Sequence, residues 1–192
     1  LFKEPDALWL SLLYAIVFGG FVGLASFLGI FFHEEYGVSR VAAGSLSAVC
    51  LLGGSAARPL GGYLADRWGG VEVLRLVFVL AAAFLGVAST LLPHGATMWL
   101  LIFGVASLGL GSGAVFQLVP QRFPDQRGTA TGMVGAAGGL GGFFLPLLLG
   151  FFKDFAGTYS IGFLIFSVAN LLAWVLLKKE LALKPVEERP LR

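Results

Sequence analysis

The chain has 192 residues, 57% hydrophobic and only 12% charged, with a formal net charge of +2. Soluble domains carry about 25% charged residues, so a water-soluble globule is excluded, and a charge this small and scattered points to no nucleic-acid partner. Glycine at 28 residues without a G-X-Y period, beside 18 phenylalanines, excludes collagen-like and disordered chains and leaves an integral membrane protein with closely packed helices.

Six apolar runs are long enough, at 1.5 Å per residue, to cross a hydrocarbon core of about 30 Å. They are Leu8–Phe32, Val41–Leu64, Leu76–Leu92, Thr97–Val119, Gly128–Phe152 and Thr158–Leu177. None shows the alternation of barrel strands, about ten residues between turns. The expected fold is therefore all-α, a polytopic bundle of six transmembrane helices over residues 1–177, with 178–192 as a solvated cytoplasmic tail. The 25-residue first run is too long for a signal-peptide core, and a chain opening on Leu1 is expected to be a fragment of a longer protein. Ten of the thirteen basic residues fall on one side: Lys3, Arg67, Arg75, Arg122 and Arg127, with Lys178, Lys179, Lys184, Arg189 and Arg192 in the tail. Arg40 and Lys153 fall on the other, so both termini are expected on the cytoplasmic side.

In the first run, Tyr14 and Phe18 are four residues apart and share a helix face. Tyr14 lies about 9 Å in from Leu8. Interfacial placement of Tyr and ordinary packing of Phe account for the pair as readily as a binding role.

The second run holds Arg58, the one charge inside an apolar run, whereas all eleven carboxylates lie in loops or flanking tails. Burying Arg near a bilayer centre costs at least about 2.5–3.5 kcal/mol, so such residues usually face a cavity on a substrate or ion path. Counted from Leu64, Arg58 is also about 9 Å deep, matching Tyr14. Its guanidinium offers a fork of donors suited to a planar oxyanion and stays protonated. Snorkelling or pairing with a carboxylate outside the chain is the structural alternative. Pro59 removes the hydrogen bond its N–H would make to the Ser55 carbonyl and can kink the helix.

The fourth run contains Gly104, Gly109, Gly111 and Gly113, with Gln117 near its end. Gln117, like Asn170 in the sixth run, reads as a helix-to-helix hydrogen-bonding group. The fifth run has seven glycines in fifteen residues, and Gly128, Gly132, Gly135, Gly139 and Gly142 form one stripe spaced four, three, four and three. Such a stripe admits another backbone or a small ligand closely, and Pro146 lets the helix bend. It is no phosphate loop, having neither a strand before it nor Lys-Ser/Thr after it. The single Cys50 excludes an intrachain disulfide, and the isolated His33 and His94 build no metal cluster. No nucleophile, base and orienting group come together, so an enzyme is not expected, and no cofactor is implied.

The stretch Gly62-Tyr63-Leu64-Ala65-Asp66-Arg67-Trp68-Gly69 resembles the signature loop of the major facilitator superfamily. Leu13-Tyr14 with Phe18-Gly19 resembles the seventh helix of its nitrate/nitrite porter family, and Arg58-Pro59-Leu60-Gly61-Gly62 the eighth. Gly113-Ala114-Val115-Phe116-Gln117-Leu118-Val119-Pro120 resembles the tenth, and the run from Thr131 to Phe143 is similar to the nitrate signature of the eleventh. The resemblance implies the C-terminal six-helix half of a nitrate/nitrite transporter working by alternating access, with the anion bound between two halves. It implies that Arg58 binds nitrate or nitrite, that Tyr14 hydrogen-bonds it and that Phe18 stacks on it. It also implies that Gly132, Gly135, Gly138, Gly139 and Gly142 line or pack beside the site and let helices rock, and that Asp66 and Arg67 latch cytoplasmic helix ends. The expected partners are the lipid bilayer, the anion and a missing N-terminal half carrying a second Arg and a second glycine signature. Rival readings are a facilitator for another small anion and a non-transporting or split membrane module that needs a partner half.

Overall fold

A computed structural model describes residues 4–180. It contains α1 (Pro5–Tyr36), α2 (Arg40–Trp68), α3 (Gly70–Ala88), α4 (His94–Arg122), α5 (Arg127–Ala156) and α6 (Ser160–Glu180), with no strand among the described residues. All six are long and apolar enough to cross a membrane.

Most helices outrun the apolar segments because their first and last turns are polar. Pro5 opens α1 at a position where a missing N–H costs nothing, and the Ser39 hydroxyl caps α2 by accepting from the Ala42 N–H at 3.3 Å. Gly37 (φ 65°) and Gly157 (φ 72°) end α1 and α5 in the left-handed conformation that closes helices.

The third helix departs most from expectation. It runs Gly70–Ala88 rather than Leu76–Leu92. Gly69 (φ 88°) breaks α2 for a single residue, so α3 starts early. At its far end Leu91 (φ 50°) leaves the helix and Pro93 is extended, which takes Ser89–Leu92 into the connection. The sixth helix continues past Leu177 to Glu180, so the start of the expected tail is helical. Lys3, Lys184, Arg189 and Arg192 lie outside the described residues.

Two helix pairs dominate the packing, α1 with α5 and α2 with α4. Each pair runs parallel: Tyr14 meets Gly138 and Gly23 meets Leu145, while Gly54 meets Gly109 and Arg58 meets Gly113. Helices α1 and α4 are the most enclosed and α2 and α5 the least. The core between them is built from Leu10, Val17, Leu24 and Phe31 of α1, Val77, Phe78 and Leu85 of α3, and Leu101, Leu108 and Val115 of α4.

Serines, not amides, tie helix to helix. Ser47 Oγ donates to the Ala25 carbonyl at 2.9 Å, Ser167 Oγ to Ala82 at 2.7 Å, and Ser160 Oγ to Ser89. Asn170 Nδ2 donates within its own helix to the Phe166 carbonyl at 2.8 Å, and its Oδ1, like Gln117 Oε1, is buried without a hydrogen-bond partner among the described residues. The interhelical role expected of Gln117 and Asn170 thus falls to a shorter side chain, which lets backbones approach closely enough for its hydroxyl to reach across.

Candidate substrate site

Because α2 continues to Trp68, Arg58 stands ten residues, about 15 Å, from that helix end, deeper than the count from Leu64 indicated. Tyr14 stands nine residues, about 14 Å, from the start of α1 at the same end of the bundle. The two side chains meet: Arg58 Nη2 donates to the Tyr14 hydroxyl oxygen at 3.5 Å, a long hydrogen bond. The Arg58 guanidinium carbon also lies 4.9 Å from the centre of the Phe18 ring. Phe18 in turn stacks on Tyr14, with centroids 4.9 Å apart and 7° between planes.

Half-buried at membrane depth, Arg58 thus has an aromatic face and a phenol oxygen for company. Among the described residues the ion pairs are Arg75 with Glu72, Arg122 with Asp6 and Lys153 with Glu35, and no carboxylate lies within ion-pairing distance of Arg58. With Tyr14 accepting from Arg58, the phenol proton is left to donate elsewhere. Guanidinium and phenol together present several donors and no acceptor charge, the chemistry that receives an anion.

The glycines of α5 divide. A Cβ built on Gly138 would stand 2.5 Å from two atoms of the Tyr14 ring and 2.8 Å from Phe18 Cδ1, so this glycine is the floor under the aromatic pair. Gly142 meets Val22 at 3.3 Å, and Gly141, outside the expected stripe, faces the Ala15 carbonyl. A Cβ built on Gly128, Gly132, Gly135 or Gly139 would meet no other side chain or helix within 4 Å among the described residues. The stripe as a whole therefore does not face α1. The residues that set the buried face are Val134, Gly138, Gly142, Leu145 and Leu149, and burial of the large apolar members turns most of the stripe outward.

At the same end of the bundle, Arg67 lays its guanidinium 4.6 Å from the centre of the Tyr63 ring, and both it and Asp66 are exposed. Neither forms an ion pair among the described residues.

Three features escaped the sequence reading. Phe116 of α4 packs on Tyr14 at 4.7 Å between centroids. Gly54, Gly61, Gly109 and Gly113 bring α2 and α4 into backbone contact, a seam spread over two runs and hidden until their register is known. At the other end of the bundle, Lys153 Nζ pairs with Glu35 at 3.2 Å and lies 4.5 Å from the Tyr159 ring centre, while the Tyr159 hydroxyl donates to Glu34. Burial, then the Glu34 carboxylate, pushes the Tyr159 phenol well above its ordinary pKa and keeps it protonated as a donor. Adjacent Glu34 and Glu35 at the end of an apolar run were the available signal.

The sequence profile of the Major Facilitator Superfamily matches residues 2–191. The nitrite extrusion protein of Bacillus subtilis is 40% identical over 174 residues, which cover 88% of this chain and 43% of that protein. A probable nitrate/nitrite transporter of Mycobacterium tuberculosis, NarK2, is 39% identical over 89% of the chain and 44% of its own length. The probable nitrate transporter NarT of Staphylococcus haemolyticus is 35% identical over 91% of the chain and 46% of its own length. The chain thus spans somewhat under half the length of these relatives. Among solved structures, a peptide transporter, POT, crystallised with sulfate, superposes with a TM-score of 0.78 at 21% identity, over 93% of this chain and 39% of the other, a likeness of fold. The chain is an integral membrane protein of the Major Facilitator Superfamily and, with these relatives, of its nitrate/nitrite porter family.

Proposed function

We propose that the chain is the C-terminal six-helix half of a nitrate/nitrite transporter and that Arg58 is its anion-binding charge. The observation that carries this reading is the Arg58 guanidinium at membrane depth, without a carboxylate in ion-pairing distance among the described residues and in reach of the Tyr14 hydroxyl. An intramembrane cation so placed is costly unless an anion visits it. The guanidinium fork and the phenol proton supply in-plane hydrogen bonds to a trigonal oxyanion, and the Phe18 ring supplies a flat surface beside it.

The other half of the site comes from a second six-helix bundle. The lengths of the relatives support this, as do the apolar side chains left uncovered on α2 and α5: Leu52, Leu60 and Tyr63 on the one, Leu140, Phe143 and Phe144 on the other. Alternating access rocks the two bundles around the bound anion. Gly132, Gly135 and Gly139 provide a side-chain-free track for the opposing bundle, Gly138 and Gly142 seat α5 on α1, and Asp66 and Arg67 latch the cytoplasmic end. The bias of Lys and Arg toward the end bearing the α2–α3 and α4–α5 connections supports cytoplasmic termini. A bacterial-type plasma membrane is the proposed location.

The test is uptake of labelled nitrate and nitrite by cells lacking their own transporters and expressing the complete transporter that carries this chain. Wild type accumulates the label, and Arg58→Gln at equal membrane abundance does not. Undiminished uptake by Arg58→Gln would overturn the assignment. Stronger competition by a small carboxylate or phosphate ester than by nitrite would move the substrate to another anion class.

A further inference from the structure

Arg58 and Tyr14 belong to different helices, and the element that touches both is α4. Gly113 lies against α2 at the turn carrying Arg58. A Cβ built on Gly113 would press on the Arg58 carbonyl oxygen and stand 2.7 Å from the Gly62 nitrogen. In an α-helix those two groups are hydrogen-bonded to each other, so the added methyl would sit on the bond that closes the turn after Arg58. The turn before it is already weakened, because Pro59 has no N–H for the Ser55 carbonyl. Arg58 therefore stands between a missing hydrogen bond and one that α4 backs directly. Three residues along α4, on the adjoining face, Phe116 holds its ring 4.7 Å from that of Tyr14 at 58°. Tyr14 is thus confined by Phe116, by Phe18 stacked at 4.9 Å and by Gly138, and its hydroxyl end reaches Arg58.

We infer that Gly113 and Phe116 are positioning residues of the anion site, Gly113 fixing the backbone turn that carries Arg58 and Phe116 fixing the ring that carries the Tyr14 hydroxyl. This rests on the anion-site reading above. A contact between other helices supplies the control. A Cβ on Gly162 of α6 would stand 2.7 Å from Leu149 Cδ2 and 3.2 Å from its Cα, a clash between α5 and α6 outside the helices that carry Arg58, Tyr14 and Phe116.

The experiment compares KM and Vmax for nitrate uptake by the complete transporter at matched membrane abundance, for Gly113→Ala, Gly162→Ala, Phe116→Leu, Phe116→Tyr and Arg58→Lys. Gly113→Ala and Phe116→Leu should each raise KM by about tenfold or more, the scale of weakening one charge-assisted hydrogen bond. Gly162→Ala should keep KM within about twofold of wild type whatever it does to abundance, since purely structural damage lowers the amount of working transporter rather than its affinity. Phe116→Tyr, which keeps the ring, should restore a near-wild-type KM. Equal KM shifts for Gly162→Ala and Gly113→Ala would overturn the role of Gly113, and an unchanged KM in Phe116→Leu would overturn that of Phe116 even if Gly113→Ala cannot be made. If Arg58→Lys raises KM while neither α4 variant does, positioning by α4 fails alone. If Arg58→Lys also leaves KM unchanged, the anion-site reading fails and this inference with it.

Discussion

Two faces of α5 are rich in glycine, and their surroundings are opposite. On one, Gly138, Gly141 and Gly142 are pressed on α1 so closely that a methyl group on Gly138 would enter the Tyr14 ring. On the other, a Cβ on Gly132, Gly135 or Gly139 would meet no neighbouring element within 4 Å among the described residues. The same residue type serves two purposes on one helix. Inside the bundle it removes side chains so that the Tyr14 ring can lie flat against α5. On the open face it keeps a helix smooth where, in the proposed complete transporter, a second bundle slides past. Composition reports the sum of the two, and only the helical register relative to Val134, Leu145 and Leu149 separates them.

Substitution breaks the comparison most forcefully on the packed face. Gly138→Val is expected to abolish nitrate uptake and lower the unfolding temperature, since overpacking a close contact costs about 1–3 kcal/mol and displaces Tyr14 and Phe18 from Arg58. A Gly138→Val protein that transports normally would show that the Tyr14 ring has room that the structure denies it. Away from both glycine faces, Tyr159→Phe should cost about 0.5–1.5 kcal/mol of stability, read by thermal unfolding in detergent, because it removes the hydrogen bond from the buried phenol to the exposed Glu34 carboxylate. No loss of stability would mean that Glu34 finds its partner in water. The smallest effect belongs to the open face. Gly132→Ala should leave thermal stability unchanged or slightly raised, by up to about 1 kcal/mol from helix propensity, while slowing uptake by the complete transporter. If Gly132→Ala is neutral in both assays, the open face is not a sliding surface.

The meeting of Tyr14 and Arg58 in the candidate site could be anticipated by counting. Tyr14 and Arg58 lie equally far from the same end of the bundle because each helix rises by a constant amount per residue, and a lone Arg in an apolar run marks itself by cost. The glycine run of α5 was visible, but its facing was not. Periodicity cannot choose between two glycine stripes, and the choice was made by neighbouring Val and Leu side chains that gain from burial. The α2–α4 seam was less visible still, because Gly54 and Gly109 acquire meaning only when two helices are set side by side in one register. Boundaries failed where polar residues extend helices beyond the membrane-spanning core, as at Trp68, and where one glycine, Gly69, replaced an expected loop.

The most direct measurement of the account is equilibrium binding of nitrate to the complete transporter, wild type against Arg58→Lys. Lysine keeps the charge and loses the planar fork, so the account predicts an affinity lower by roughly tenfold or more with the fold intact. An affinity unchanged in Arg58→Lys would contradict it, showing that the guanidinium at the Tyr14 hydroxyl does not hold the anion.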